Sequence, residues 1–416
     1  MGLSFLLAVA VKQRGMKRSR RRRRRRRRRE MQGWVGPEIP LDLLIEILAR
    51  LPAKSVMRFK CISKFWSSLL CSSFFCNRFI MMLPSSPRLY MSLLDQANYS
   101  KSVLLSSAPN PAASHSSIVF DQDLTIREMG GYYLRAVRGF IGFTVFKKEA
   151  RIYNPSTRQL ITLPAVESNI LAQVDKYNIS YFICYDPLKD QYKVLCTITV
   201  LSEEGMLTIR SERWVLVLES GGSWKRVAKD FHPHFPDPLE LTMNGVLYYL
   251  AWTDYTTCVL VSFDISSEEF SMLQVPRKPG DVLPMLGKWV VTIDYGGKVA
   301  VFDYTYLKET GTVDLWVVED WRKQEWSMKT LALKPSQMHL VADNRLKPKG
   351  AMLKGKIILV PLKLVSPFYF LCYDLQTNDL KKVDIKGIPN RWFRKQAKSF
   401  DLEFMDPSEN IKYLET

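Results

Sequence analysis

The side chains from which an active site could be assembled are few. There are four histidines (His115, His232, His234, His339) and seven cysteines, at 61, 71, 76, 184, 196, 258 and 372, in 416 residues. His232-Pro233-His234, with Asp230 and Asp237 beside it, offers the imidazole and carboxylate donors that a transition metal takes. The proline makes that segment a constrained loop. No cysteine or third histidine stands at ligand spacing, so no metal is expected there. Ser114-His115 pairs a nucleophile with a base, but it lies in the Ser-, Pro- and Ala-rich stretch 106–117, which reads as a surface connection. The chain has no G-x-S-x-G elbow, no phosphate-cradling P-loop and no G-x-G-x-x-G after a strand. An odd number of cysteines without a C-x-x-C excludes a disulfide scaffold and reads as buried thiols in a reducing compartment. No catalytic residue, metal or cofactor is expected, and recognition is what remains.

The charge bears on what could be recognised. Of the formal net charge of +19, residues 1–30 carry +13, from 14 basic groups against Glu30, and the other 386 residues carry +6. Arg20 to Arg29 are consecutive. Mutual repulsion and hydration keep such a run from packing, so 1–33 is expected to be a disordered basic tail. It would bind nucleic acid non-specifically by counterion release and reads as a nuclear-import signal. The other reading is a solvated extension without a role, upstream of a functional start at Met31. Leu3–Val11 is an apolar run of nine residues, short of the ~20 needed to span a bilayer. It lacks the preceding basic residue and the cleavage site of a signal peptide. No membrane association is expected, and the localisation expected is nucleus and/or cytoplasm.

The elements come next. With 47% hydrophobic and 12% aromatic residues, the chain has ample material for two or three cored domains. The first is helical. Leu41 to Leu51 lies between Pro40, which suits the start of a helix, and Pro52, which stops it. At 100° per residue, Asp42, Glu46 and Arg50 share one narrow stripe. Leu41, Leu43, Leu44, Ile45, Ile47, Leu48 and Leu51 fill an arc of roughly 240°, against a little over ~100° for an ordinary surface helix. One neighbour cannot cover that arc, so a second polypeptide is expected on part of it. Val56, Phe59 and Ile62 continue at helical spacing, and Ser63 suits an N-cap before Phe65, Trp66, Leu69 and Leu70. The expectation is three short helices within 34–82.

The run Ile39-Pro40-x-Asp42-Leu43-Leu44-x-Glu46-Ile47-Leu48-x-Arg50-Leu51-Pro52-x-Lys54-Ser55-Val56-x-Arg58-Phe59-Lys60-Cys61-Ile62-Ser63-Lys64-x-Trp66 resembles the plant F-box motif almost throughout. The resemblance implies docking to a Skp-type adaptor, and through it to the cullin and RING subunits of a ubiquitin ligase. Carried over residue by residue, the implied adaptor contacts are Ile39, Pro40, Leu43, Leu44, Ile47, Leu48, Leu51 and Pro52, with Ile39 replacing the commoner leucine. Leu44, Leu48, Phe59, Phe65 and Trp66 could equally serve only the module's own core.

From 87 to 406 the texture is short apolar strands between turn clusters. Tyr153-Asn154, Tyr185-Asp186, Phe263-Asp264 and Tyr373-Asp374 each put an Asn or Asp after an aromatic residue, with an apolar residue returning six positions on. Each reads as a hairpin whose Asn or Asp bonds its own backbone two residues later. Val215 to Lys225, with Gly221-Gly222 at the turn, and Leu315 to Trp326 share a second pattern: strand, turn, then tryptophan. Repeated hairpins without helices favour a propeller of about six blades over a sandwich, its alternative. Blades are expected near 139–164, 180–231, 243–276, 285–333 and 349–389, with a sixth combining 87–124 and Phe400–Met405. Tyr153-Asn154-Pro155 and Tyr185-Asp186-Pro187, together with Gly222-Ser223-Trp224 and Asn244-Gly245-Val246-Leu247-Tyr248, resemble the F-box-associated domain found after plant F-boxes. Residues 407–416 read as a C-terminal tail.

The expectation is therefore an α + β multidomain protein: a small three-helix F-box module, then an all-β propeller-like domain. It would be the non-catalytic substrate-recognition subunit of a Skp–cullin–F-box ubiquitin ligase, holding an unidentified target protein. The loops Ala165–Tyr177, Glu203–Ser211, Phe231–Leu239, Pro276–Pro284 and Lys334–Pro348 are the candidates for target contact. The alternative is a nuclear, nucleic-acid-associated protein acting through Arg20–Arg29.

Overall fold

A computed structural model describes residues 39–82, 88–94, 102–107, 117–127, 131–145, 149–174, 176–202, 208–227, 230–278, 280, 290–342, 345–352, 356–361, 367–388, 399–405 and 410–414. The arginine run, Ser114-His115 and residues 1–33 lie outside them. The chain divides into two compact units, one helical and one of β-sheet.

Among the described residues the helical unit has four helices where three were expected: α1 (Leu41–Ala49), α2 (Ala53–Lys60), α3 (Lys64–Cys71) and α4 (Ser73–Met82). Pro40 and Pro52 occupy the caps of α1 and α2 with extended ψ, so each proline ends one turn of chain and starts the next. Ser63 caps α3, its Oγ accepting from the Trp66 N–H at 3.3 Å. Helix α4, beyond the three expected, has its own local signals. The Ser72 Oγ accepts from the Phe75 N–H at 3.2 Å, and Phe75 and Phe79, four apart, are buried. Leu44, Leu48, Val56, Phe59, Trp66, Leu70, Phe75 and Phe79 form the core.

The β unit begins with β1 (Arg88–Leu94), β2 (Ser102–Ser107) and β3 (Ser117–Arg127). Five groups of strands follow. These are β4 (Tyr132–Val137), β5 (Phe140–Thr144), β6 (Ala150–Asn154) and β7 (Gln159–Thr162); β8 (Asn178–Asp186), β9 (Gln191–Ser202), β10 (Thr208–Val217) and β11 (Lys225–Val227); β12 (Phe235–Met243), β13 (Val246–Trp252), β14 (Cys258–Asp264) and β15 (Phe270–Gln274); β16 (Val290–Tyr295), β17 (Lys298–Asp303), β18 (Thr312–Asp320) and β19 (Glu325–Ala332); and β20 (Leu346–Met352), β21 (Lys356–Pro361), β22 (Tyr369–Asp374) and β23 (Asp379–Lys386), before a last strand β24 (Ser399–Met405).

Four of the groups are separate four-stranded antiparallel meanders, and the fifth, β20 to β23, is joined edge to edge to the order β3-β2-β1-β24. The join is a parallel pairing of β23 with β3, Asp384 opposite Ser117. The first strands of the groups neighbour one another in the cycle β24, β4, β8, β12, β16, β20 and back to β24. That cycle of six inner strands is a six-bladed propeller, whose last blade is completed by β24 pairing with β1 along Arg88–Leu94. The core is the set of apolar layers between successive blades, as where Phe182 of one blade stacks on Tyr249 of the next.

Two expectations are corrected in detail. Phe235–Leu239 and Leu346–Pro348, read as parts of loops, belong to the inner strands β12 and β20. Pro236, Pro238 and Pro348 hid them. An inner strand is hydrogen-bonded on one side only, so it tolerates residues without an N–H. Of the cysteines, Cys76, Cys184, Cys196 and Cys258 are buried, whereas Cys61 and Cys71 are exposed.

Candidate functional site

On α1 the wide apolar arc divides in two. Leu44 (6% exposed) and Leu48 (fully buried) point into the module's own core. Ile39 and Leu51 are partly buried against the same core. Leu43 (53%), Ile47 (43%) and Leu41 (49%) are left to solvent, as are Pro40 and Pro52. Leu43 and Ile47 stand four apart and so share one stripe. Of the eight residues singled out for adaptor contact, Leu44 and Leu48 are core residues, Ile39 and Leu51 pack in part against that core, and Pro40, Leu43, Ile47 and Pro52 are exposed. Phe59 and Trp66 are also core, 5.9 Å apart between ring centroids, while Phe65 is exposed. Polar groups flank the arc: Arg50 and Arg78 both reach Glu46, at 3.1 and 3.3 Å. Exposed pairs of this kind contribute little stability, and none of them covers Leu43 or Ile47.

In the β unit the turns sort by end. Asn154, Asp186, Asp264 and Asp374 each accept, through Oδ1, the N–H groups two and three residues on, at 2.8–3.2 Å. The residue four positions on has positive φ in every case: Arg158, Asp190, Glu268 and Asn378. Asp320 and Gln324 make a fifth copy. Each of these turns joins the first to the second or the third to the fourth strand of a blade, so antiparallel order puts all five on one end of the propeller. The five candidate recognition loops follow second or fourth strands and therefore share the opposite end. Residues 175, 203–207, 279, 281–284 and 343–344 of those loops lie outside the described residues. The exposed Tyr255 and Tyr306 stand at that loop end. A cavity of about 210 Å³ there is lined by Tyr304, Leu307, Lys308, Glu309, Val341 and Arg345.

Beneath the loop Phe231–Leu239 lies a buried polar cluster. Arg213 on β10, almost wholly buried, donates to the carbonyls of Phe231 and His232 at 3.1 and 2.7 Å. His234 is fully buried, its Nδ1 2.9 Å from the His232 carbonyl and its Nε2 2.9 Å from the Tyr249 hydroxyl. Nδ1–H thus donates and Nε2 accepts, which is the neutral ring. Burial first, and the Arg213 charge second, push its pKa down to about 3. His232 is exposed, so the two imidazoles of His232-Pro233-His234 do not converge. No group of three or more His, Cys, Asp or Glu is placed to hold a metal among the described residues. Arg135 of β4 and Glu240 of β12 pair at 2.5 Å, and Arg135 also donates to the Pro238 carbonyl. Those inner strands are two places apart in the ring, so the pair crosses its middle. Burial raises the Glu240 pKa, and Arg135 opposes the rise. Cys258 is pushed up to about 12 by burial, a core thiol rather than a nucleophile. Among the described residues no helix is long and apolar enough to cross a membrane.

The described chain is thus a small helical module with an uncovered apolar helix face, followed by a closed propeller. Comparison with known proteins gives the family. Residues 37–78 match the F-box domain, and residues 88–408 match the F-box associated beta propeller domain. The chain belongs to the plant F-box proteins that carry an F-box-associated β-propeller. The Arabidopsis thaliana F-box/LRR-repeat protein At2g40920 is 47% identical over 90% of this chain and 87% of its own length. F-box only protein 8 of the same plant is 61% identical over 70% of this chain and 99% of its own. F-box protein At4g19940, also from Arabidopsis thaliana, is 45% identical over the whole of both. Among solved structures, the six-bladed fungal lectin from Aleuria aurantia aligns at a TM-score of 0.37 and 10% identity, over 74% of this chain and 99% of the lectin. The blade count here rests on the sheet order, not on that alignment.

Proposed function

We propose that the chain is a substrate receptor of a Skp–cullin–F-box ubiquitin ligase. The helical module would dock a Skp-type adaptor, and the loop end of the propeller would hold a target protein. The observation that carries this reading is the exposure of Leu41, Leu43 and Ile47 on a single helix. Burying a large aliphatic side chain is worth roughly 1.5–3 kcal/mol, and about half of each of these three is still available for a partner. The docking set is accordingly Pro40, Leu43, Ile47 and Pro52, with Ile39 and Leu51 at its margin and Leu41 added. Leu44 and Leu48 act only by holding α1 in place. The receptor itself would break no bond; its effect is proximity, because a captured target is held near a conjugating enzyme. Work in the nucleus and/or cytoplasm fits this role.

The test is adaptor pull-down with Leu43→Asp/Ile47→Asp in the full chain. Binding should fall at least tenfold while the β unit keeps its hydrogen-exchange protection. Undiminished pull-down would remove α1 from the interface. The second reading, association with nucleic acid, is favoured by the run Arg20–Arg29 alone.

A further inference from the structure

Residues 39–82 do not close the helical core by themselves. Ile411, from the segment that follows β24, is 2% exposed within the same cluster as Leu48, Val56, Phe59 and Phe79. Asn410 beside it is fully buried, and its Oδ1 accepts from the Lys412 N–H at 2.9 Å, which fixes the backbone locally around Ile411. Tyr413 lays its ring under Lys60 of α2, with Nζ 3.8 Å from the ring centroid. The contact is a cation–π pair at the edge of the buried patch. A helical module of about 40 residues sits near the lower limit of what an apolar core can stabilise alone. A further fully enclosed isoleucine is a large addition at that size.

Connectivity favours the arrangement. The chain leaves α4 for β1 and leaves β24 for this segment, and β1 and β24 are paired with Arg88 opposite Met405. Both short connections, 83–87 and 406–409, therefore start from neighbouring strand ends. Ile411 is supplied to the helices at high effective concentration and at low cost in loop entropy. The segment 410–413 lies outside both regions matched to known families.

We propose that Asn410–Tyr413 is an integral part of the adaptor-docking module. Ile411 is a positioning residue: it packs in the core that holds the inner side of α1, and so fixes the stripe from which Leu43 and Ile47 project. The packing is a property of the fold, whereas its consequence for docking rests on the function proposed above.

The experiment uses the full chain carrying Ile411→Asp, Ile411→Val or Leu43→Asp. Hydrogen exchange is read separately over 41–60 and over the β strands, and affinity is read against a purified Skp-type adaptor. Ile411→Asp should lower protection over 41–60 at least tenfold, leave the β strands protected and weaken adaptor binding at least tenfold. Ile411→Val should restore both, and Leu43→Asp should weaken binding with protection intact. Ile411→Ala serves if the aspartate variant yields no soluble chain. Unchanged protection over 41–60 overturns the proposal, as does lost protection with undiminished adaptor affinity. If the unaltered chain binds no adaptor, the docking reading fails and takes the functional half of the proposal with it. The exchange result then judges the packing on its own.

Discussion

His234 shows how a residue with the chemistry of a ligand can be spent on structure. Its Nε2 accepts from Tyr249 and its Nδ1–H is given to the His232 carbonyl, so both ring nitrogens are committed. Burial and the neighbouring Arg213 hold its pKa near 3, below the ordinary 6.5. The folded state thus refuses a proton that the unfolded chain accepts. Its contribution is complete above pH ~6.5 and is lost as pH falls towards 3, by up to ~1.4 kcal/mol per unit. We expect protection of β10, β12 and β13 against hydrogen exchange, corrected for intrinsic rates, to fall between pH 7 and pH 5. His234→Gln should flatten that dependence, and an equally steep profile in the variant would assign it elsewhere. Arg213 belongs to the same arrangement, since its guanidinium holds the carbonyls of the loop that His234 anchors.

Between elements, the repeated unit is the Asx-capped turn rather than any conserved strand length. Five copies set the register of their hairpins by the same two side-chain bonds and the same positive-φ residue. The Ser267 N–H bound to Asp264 is the main cause of that carboxyl's lowered pKa. Asp264→Ala should cost about 1 kcal/mol in urea unfolding, the usual worth of such bonds. Its penalty should shrink at acid pH, where a group with a depressed pKa loses its contribution. Gly387 lies at a different kind of joint. It has φ +82°, and a Cβ there would meet the Phe120 carbonyl oxygen at 2.5 Å. Gly387 follows β23 where that strand runs beside β3, so Gly387→Ala should destabilise by roughly 1–3 kcal/mol. Exchange should rise first in β23 and β3.

For the whole molecule, the division of labour makes a prediction about salt. An adaptor held by Leu41, Leu43 and Ile47 is held by apolar burial, which salt does not screen. Adaptor pull-down should therefore persist at 1 M NaCl and after deletion of residues 1–30. Nucleic-acid association carried by Arg20–Arg29 should vanish under either treatment, with a steep dependence on salt. An adaptor complex that dissolves in salt would point to charge instead.

The features legible in the sequence are those whose causes are local. The proline-bracketed helix, the Ser63 cap, the Asn and Asp turns and the blade period all follow from interactions within a few residues, and they were enough to place an F-box module before a propeller. Helix α4 is equally local in origin, with its Ser72 cap. Tertiary structure alone decided which half of the α1 arc is core, because Leu43 and Leu44 are equivalent until three other helices choose a side. Only the ring could admit Pro236, Pro238 and Pro348 into strands, since an inner strand leaves one edge unbonded. The seat of Ile411 depends on packing across more than 300 positions of chain. Burial is set by what comes to lie alongside, and no local pattern carries that information.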